Sequence, residues 1–141
     1  IPGYGIYARK MNMIFIDRSG HAKSLRKLVQ DARNAIERGR SLVIFPEGTR
    51  VDPGKKLPYR PGIAALYKEL SVPVVPVVHN SGLCWPKNSF RKYPGTITLQ
   101  FLPPIQPGLR RIEFMKQLES TMELASIQLI ANTENLSAEH N

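Results

Sequence analysis

The chain has 141 residues, the size of one domain, and its 42% hydrophobic content is enough for one core. No apolar run approaches the roughly 20 residues that span a bilayer, and no signal-peptide pattern opens the sequence. A single cysteine, Cys84, excludes an intrachain disulfide or a multi-thiol metal site and reads as a loop or packing residue. The net charge is +9 and unevenly placed: residues 1–60 carry +8, residues 61–111 carry +5 and residues 112–141 carry −4. Such a basic field attracts nucleic acid, anionic lipid headgroups or phosphorylated small molecules, and charge alone does not choose among them.

In chain order, Ile1 to Tyr7 reads as loop, and Met13-Ile14-Phe15-Ile16 reads as a short buried strand ending at Asp17-Arg18. From His21 to Arg38 the pattern is helical: Leu25, Leu28, Val29, Ala32 and Ile36 share one face, and Gly39 is placed to stop the helix. Ser41 to Phe45 reads as the next strand. Strand, helix and strand in this order predict a right-handed βαβ unit with parallel strands. Pro61 fits the first turn of a helix running to Leu70. Val72 to Val78 is rich in β-branched residues but holds Pro73 and Pro76, which should mark a strand entry or an irregular pairing. Residues 83–94 form a loop in which Trp85, Phe90 and Tyr93 lie among Lys87, Arg91 and Lys92. Gly95 to Leu102 alternates as a strand that Pro103-Pro104 stops, and Arg111 to Ala131 is a helix with Met115, Leu118, Met122, Ala125 and Leu129 on one stripe. The expected fold is α/β, a mixed central sheet with helices packed on it.

In open α/β sheets, ligands sit at the carboxyl ends of the strands. Asp17-Arg18, Phe45-Pro46-Glu47-Gly48-Thr49-Arg50 and His79-Asn80 all fall at predicted strand ends. Arginine suits phosphate because its planar fork makes two parallel hydrogen bonds. Gly48 allows a tight turn and close approach of a ligand, Thr49 offers a hydroxyl, and Glu47 can orient an arginine or accept a hydrogen bond from a substrate hydroxyl. Together they describe a pocket for a phosphorylated alcohol. The plainer reading is a structural salt bridge from Glu47 to Arg18 or Arg50, with Gly48 simply a turn. His79 reads as packed or hydrogen-bonded. The sequence shows no G-x-S-x-G elbow, P-loop, G-x-G-x-x-G or cluster of metal ligands. From the residues alone the chain has a binding site without a convincing base or nucleophile.

Three blocks resemble, in order and spacing, the glycerolipid acyltransferases, in particular the bacterial lysophosphatidate acyltransferases. Asn12 to Arg18 resembles the second family block, Phe45 to Arg50 the third, and Val72-Pro73-Val74-Val75-Pro76-Val77-Val78 the fourth. Tyr59-Arg60-Pro61-Gly62 resembles a segment found between the third and fourth. Asn12 stands where the second block often has Gly, and Val51 where the third often has Ser. The resemblance implies a glycerolphosphate acyltransferase-like fold, with an acyltransferase domain over residues 1–133 and a polar tail over 134–141. It implies that Arg18, Glu47, Gly48, Thr49 and Arg50 bind the substrate, with Phe15, Asp17, Pro46, Arg60 and Pro76 in support.

The family's first block, N-H-x-x-x-x-D, has no match here. Its His is the family's general base and its Asp orients that His, so the expectation is a fragment, inactive alone, whose catalytic His and Asp lie upstream of Ile1. The implied reaction moves a fatty acyl group from acyl-CoA or acyl-carrier protein to the free hydroxyl of lysophosphatidate, giving phosphatidate. The resemblance implies no metal, no cofactor and no covalent enzyme intermediate. It also implies a membrane surface with anionic lipid as partner, at the cytoplasmic face of a bacterial inner membrane; the acidic C-terminal helix and the lack of a nucleic-acid motif argue against nucleic acid as a partner. The alternative is a non-catalytic phosphate- or lipid-binding domain.

Overall fold

The structure is a computed structural model, and it describes residues 21–138, with side chains over 25–133. The expected first strand at Met13–Ile16 lies outside the described residues. The chain divides into two compact units, Ile1–Val43 and Ile44–Asn141.

In the first unit, helix α1 spans His21–Glu37. Its apolar residues recur at helical spacing, and Ala32 on that face is fully buried. Its polar side is laced by pairs four residues apart, Lys27 to Asp31 at 2.7 Å and Gln30 to Asn34 at 3.0 Å. Gly39 terminates it as expected. At φ +71° Gly39 adopts the left-handed conformation, its N–H bonds to the Ile36 carbonyl at 2.8 Å, and Arg40 N–H bonds to the Ala35 carbonyl at 3.0 Å. These two bonds are a Schellman closure, which satisfies carbonyls the helix leaves open.

The second unit contains α2 (Gly62–Leu70), β1 (Val77–His79), α3 (Ser81–Cys84), β2 (Leu99–Phe101) and α4 (Arg111–Ala138). Strands β1 and β2 pair antiparallel, with Val77 opposite Phe101, Val78 opposite Gln100 and His79 opposite Leu99. The core forms where α4 crosses α2 and the sheet. Phe114 and Leu118 of α4 pack with Ala64 and Tyr67 of α2 and with Ile105. One stretch further along α4, Ala125 and Leu129 pack with Val78 of β1. Tyr67 and Phe114 stack at 3.8 Å, and the buried Tyr67 hydroxyl donates to the Gln106 carbonyl and accepts from Leu109 N–H. The apolar stripe read along α4 is therefore its buried face, and the helix runs past Ala131 to Ala138.

The α/β class holds, but two expected strands change. Ser41–Phe45 forms no strand among the described residues. Val43 and Phe45 are 84% and 68% exposed, and the Phe45 carbonyl bonds to Gly48 N–H, committing the segment's end to a turn instead of a ladder. The parallel βαβ unit is accordingly not seen among the described residues, where the sheet is antiparallel. The strand expected over Gly95–Leu102 shortens to Leu99–Phe101 because a side chain replaces its neighbour. Asn80 Nδ2 donates to the Thr96 carbonyl at 3.1 Å, and Asn80 Oδ1 accepts Thr98 N–H at 2.8 Å, so the ladder begins only at Leu99. The two prolines of Val72–Val78 act as expected. Val74 makes a lone bridge to Ile105, Pro76 offers only its carbonyl, to Leu102 N–H at 2.9 Å, and regular pairing starts at Val77. No helix among the described residues is long and apolar enough to cross a membrane.

Candidate functional site

Phe45-Pro46-Glu47-Gly48 closes as a tight turn, with Gly48 N–H bonded to the Phe45 carbonyl at 3.0 Å. Proline at the second position pre-sets the turn's backbone angle, and glycine at the fourth follows the usual preference. Gly48 has φ +70°, a conformation that glycine adopts without the clash a Cβ brings. Arg60 holds the turn from the other side. Its N–H bonds to the Pro46 carbonyl at 2.8 Å, and a Cβ on Gly48 would lie 3.5 Å from Arg60 Cγ and 3.6 Å from its Nε. Arg60 precedes Pro61, the N-cap of α2, so the turn is docked at the start of that helix.

Arg50 leaves the turn and reaches residues 35 positions on. Its Nη2 donates to the Trp85 carbonyl at 2.7 Å and more weakly to that of Pro86 at 3.4 Å. Its guanidinium also lies 5.4 Å from the centre of the Trp85 ring, within cation–π range. The loop between turn and Trp85 is packed as well: a Cβ on Gly82 of α3 would sit 3.0 Å from Pro53 Cγ. The backbone thus fixes one edge of the Arg50 fork, and the arginine remains exposed. Among the described residues no carboxylate pairs with it.

The salt bridge of the plainer reading does not form between Glu47 and Arg50, and its other candidate partner, Arg18, lies outside the described residues. Burial pushes the half-buried Glu47 carboxyl above its ordinary range. Its charge is felt by Tyr59. Burial first, and then the nearby carboxylates of Glu47, Glu119 and Glu123, push the Tyr59 hydroxyl up to about 12. That hydroxyl lies 3.5 Å from Met122 Sδ of α4.

The structure therefore brings together Pro46, Glu47, Gly48, Arg50 and Arg60, with Thr49 on the same turn. Phe15, Asp17 and Arg18 lie outside the described residues. Pro76 is buried in the chain entering β1 and serves the sheet pairing. His79 is exposed, with Nδ1 2.9 Å from Ser81 Oγ, as a hydrogen-bonded residue should be. Cys84 packs against Gly95, where a Cβ would come within 3.0 Å of its Sγ. Sequence reasoning missed Trp85, whose carbonyl orients Arg50, and Tyr59 beside Glu47. The Trp-Pro pair inside a basic loop was the available signal for the first, and for Tyr59 it was its place in the Tyr59-Arg60-Pro61-Gly62 segment.

An α/β unit that presents an exposed arginine, oriented by a backbone carbonyl, beside a glycine turn is equipped to hold an anion. The family model described as Acyltransferase matches residues 1–80, more than half of the chain, and the chain belongs to that family. A 1-acyl-sn-glycerol-3-phosphate acyltransferase of Pseudomonas aeruginosa is 36% identical over 137 residues, covering 91% of this chain and 53% of that protein. One from Limnanthes alba is 39% identical over 93 residues, covering 65% of this chain and 33% of that protein. The crystal structure of the 1-acyl-sn-glycerophosphate (LPA) acyltransferase PlsC from Thermotoga maritima aligns with a TM-score of 0.75 at 28% identity, covering 93% of this chain and 53% of that one. The chain spans about half the length of the bacterial relatives it matches.

Proposed function

We propose that this chain holds the acceptor in an enzyme that transfers a fatty acyl group from acyl-CoA or acyl-carrier protein to the free hydroxyl of lysophosphatidate. The observation that carries the reading is Arg50, fixed on one edge by the Trp85 carbonyl and open to an anion on the rest of its guanidinium. The names of the relatives, each an acyltransferase acting on a 1-acylglycerol phosphate, support the choice of acceptor.

In this reading the acceptor phosphate lies against Arg50, with Arg60 packed under the Gly48 turn adding positive charge nearby. A pre-oriented arginine loses less freedom on binding than a mobile one, so more of the contact energy serves the complex. Gly48 keeps the backbone low enough for the glycerol to approach, and Thr49 offers its hydroxyl. Fixing the acceptor places its free hydroxyl against the thioester carbonyl, replacing a bimolecular encounter by a positioned one. The hydroxyl oxygen forms the new ester bond, the carbon–sulfur bond breaks, and the departing thiolate takes up the proton. The described residues supply binding and orientation in this scheme. The basic charge of the chain draws the acceptor from an anionic membrane surface.

Equilibrium binding of short-chain lysophosphatidate to the chain tests the reading. Wild type should bind it, inorganic phosphate should compete, and Arg50→Ala should weaken binding roughly 10- to 100-fold, the worth of a charged hydrogen-bonded contact. A folded Arg50→Ala variant with unchanged affinity would remove Arg50 from the site.

A further inference from the structure

Between Glu69 and Glu113 the sequence holds no carboxylate side chain. Within that stretch the loop from Trp85 to Tyr93 gathers Lys87, Arg91 and Lys92 with three aromatic residues. Phe90 at its apex is fully exposed, at 105%, and Trp85 and Tyr93 are about half exposed, at 49% and 48%. The loop is internally braced. Trp85 Nε1 donates to the Ser89 carbonyl at 3.0 Å, Arg91 N–H donates to Ser89 Oγ at 3.0 Å, and Tyr93 N–H closes the base onto the Cys84 carbonyl at 2.8 Å. A braced loop that holds a phenyl ring in water forgoes the burial that normally draws such a ring inside.

We propose that the Trp85–Tyr93 loop is a membrane-docking element, in which Phe90 enters the headgroup region of an anionic bilayer while Lys87, Arg91 and Lys92 meet its phosphates. Aromatic rings flanked by basic side chains suit that boundary, where rings sit at headgroup level and long cationic side chains reach outward to charge. Nucleic acid is the rival occupant of a basic aromatic loop, and it needs free ring faces for base stacking. Here Lys92 Nζ lies 4.6 Å from the Trp85 ring centre, Arg50 lies 5.4 Å from it, and Arg91 lies 5.9 Å from the Tyr93 ring centre. The cations already cover those two rings, which favours lipid. The loop begins at the residue whose carbonyl orients Arg50. Resting on the function proposed above, docking would bring the acceptor arginine to the surface from which a lipid acceptor comes.

Trp85 is the chain's one tryptophan, so its fluorescence reports this loop directly. With vesicles of equal parts phosphatidylglycerol and phosphatidylcholine, Trp85 emission should shift to the blue and be quenched by brominated lipid. Phosphatidylcholine alone should do neither. Charge reversal at Lys87, Arg91 and Lys92 should weaken vesicle co-sedimentation on the order of 100-fold, from the usual contribution of each basic residue near an anionic surface. Phe90→Ala should weaken it several-fold. The control reverses Lys68, Arg111 and Lys116. Asn80, just before the loop, bonds to Thr133 of α4, and Arg111 begins that helix roughly 33 Å away at 1.5 Å per residue. This control should partition as the wild type does. Co-sedimentation without any change in Trp85 emission would overturn the proposal. So would equal losses in loop and control variants, or displacement of the chain from vesicles by single-stranded RNA. None of these readouts uses acyl transfer, so a chain that docks but transfers nothing defeats only the enzymatic reading.

Discussion

Asn80 should be a keystone of the loop that orients Arg50. Only 3% of it is exposed, and its side chain makes three hydrogen bonds: to the Thr96 carbonyl and Thr133 Oγ1, each at 3.1 Å, and from Thr98 N–H at 2.8 Å. These bonds tie both ends of the segment containing Trp85 to each other and to α4. In Asn80→Ala all three are lost, and Thr96 and Thr98 keep a backbone carbonyl and N–H without their partner. At about 1 kcal/mol per bond the loss is roughly 3 kcal/mol. For a domain of this size that corresponds to a fall in Tm of about 10 °C. Thr133→Val removes one of the three and should cost about 1 kcal/mol, although Thr133 Oγ1 also donates to the Leu129 carbonyl at 2.7 Å. Thermal unfolding followed by circular dichroism measures both variants. Lysophosphatidate titration of folded Asn80→Ala at low temperature should show weaker binding through a loosened Trp85. An Asn80→Ala variant within about 0.5 kcal/mol of wild type, the range of ordinary surface substitutions, would refute the reasoning.

Gly48→Ala should lower stability by about 1 kcal/mol, because a left-handed backbone costs alanine ~1–2 kcal/mol and a less flexible unfolded chain returns part of it. The 3.5 Å approach to Arg60 Cγ leaves room for a methyl, so thermal melts should show a modest loss with the fold intact. Tyr59 has a folded-state value raised from 10.0 to about 12. Its contribution to stability is therefore complete below about pH 10 and lost as pH rises toward 12. Denaturant melts across that range should show an alkaline decline that Tyr59→Phe reduces. Glu47 is also raised, so the folded state disfavours its charge, and stability from this group falls as pH climbs through the carboxylate range. Glu47→Gln should match the wild type in acid, exceed it slightly at neutral pH, and show a flatter profile.

Local signals carried much of the fold because they act within a few residues. Gly39 stopped α1 through its own left-handed backbone, Pro61 opened α2, and the α4 stripe found its core partners. Strand limits failed where a distant group intervened. No spacing in Gly95–Leu102 reveals that Asn80 will take the Thr96 and Thr98 backbone groups, and no run of apolar residues in Ser41–Phe45 reveals that Phe45 will serve a turn. The site divides along the same line. Glu47, Gly48 and Arg50 were legible because one short motif holds them. Their settings were not: the guanidinium is oriented by a carbonyl 35 residues away instead of by Glu47.

The most direct test of the central claim is acyl transfer by the whole protein, wild type and Arg50→Ala, from acyl-CoA to lysophosphatidate, following phosphatidate and free thiol together. The account predicts equal amounts of both products, and a KM for lysophosphatidate raised roughly 10- to 100-fold by Arg50→Ala with little change in KM for the donor. Lysophosphatidate bound at Arg50 with no phosphatidate formed would contradict it, and the chain would then be a phosphate-lipid binding domain.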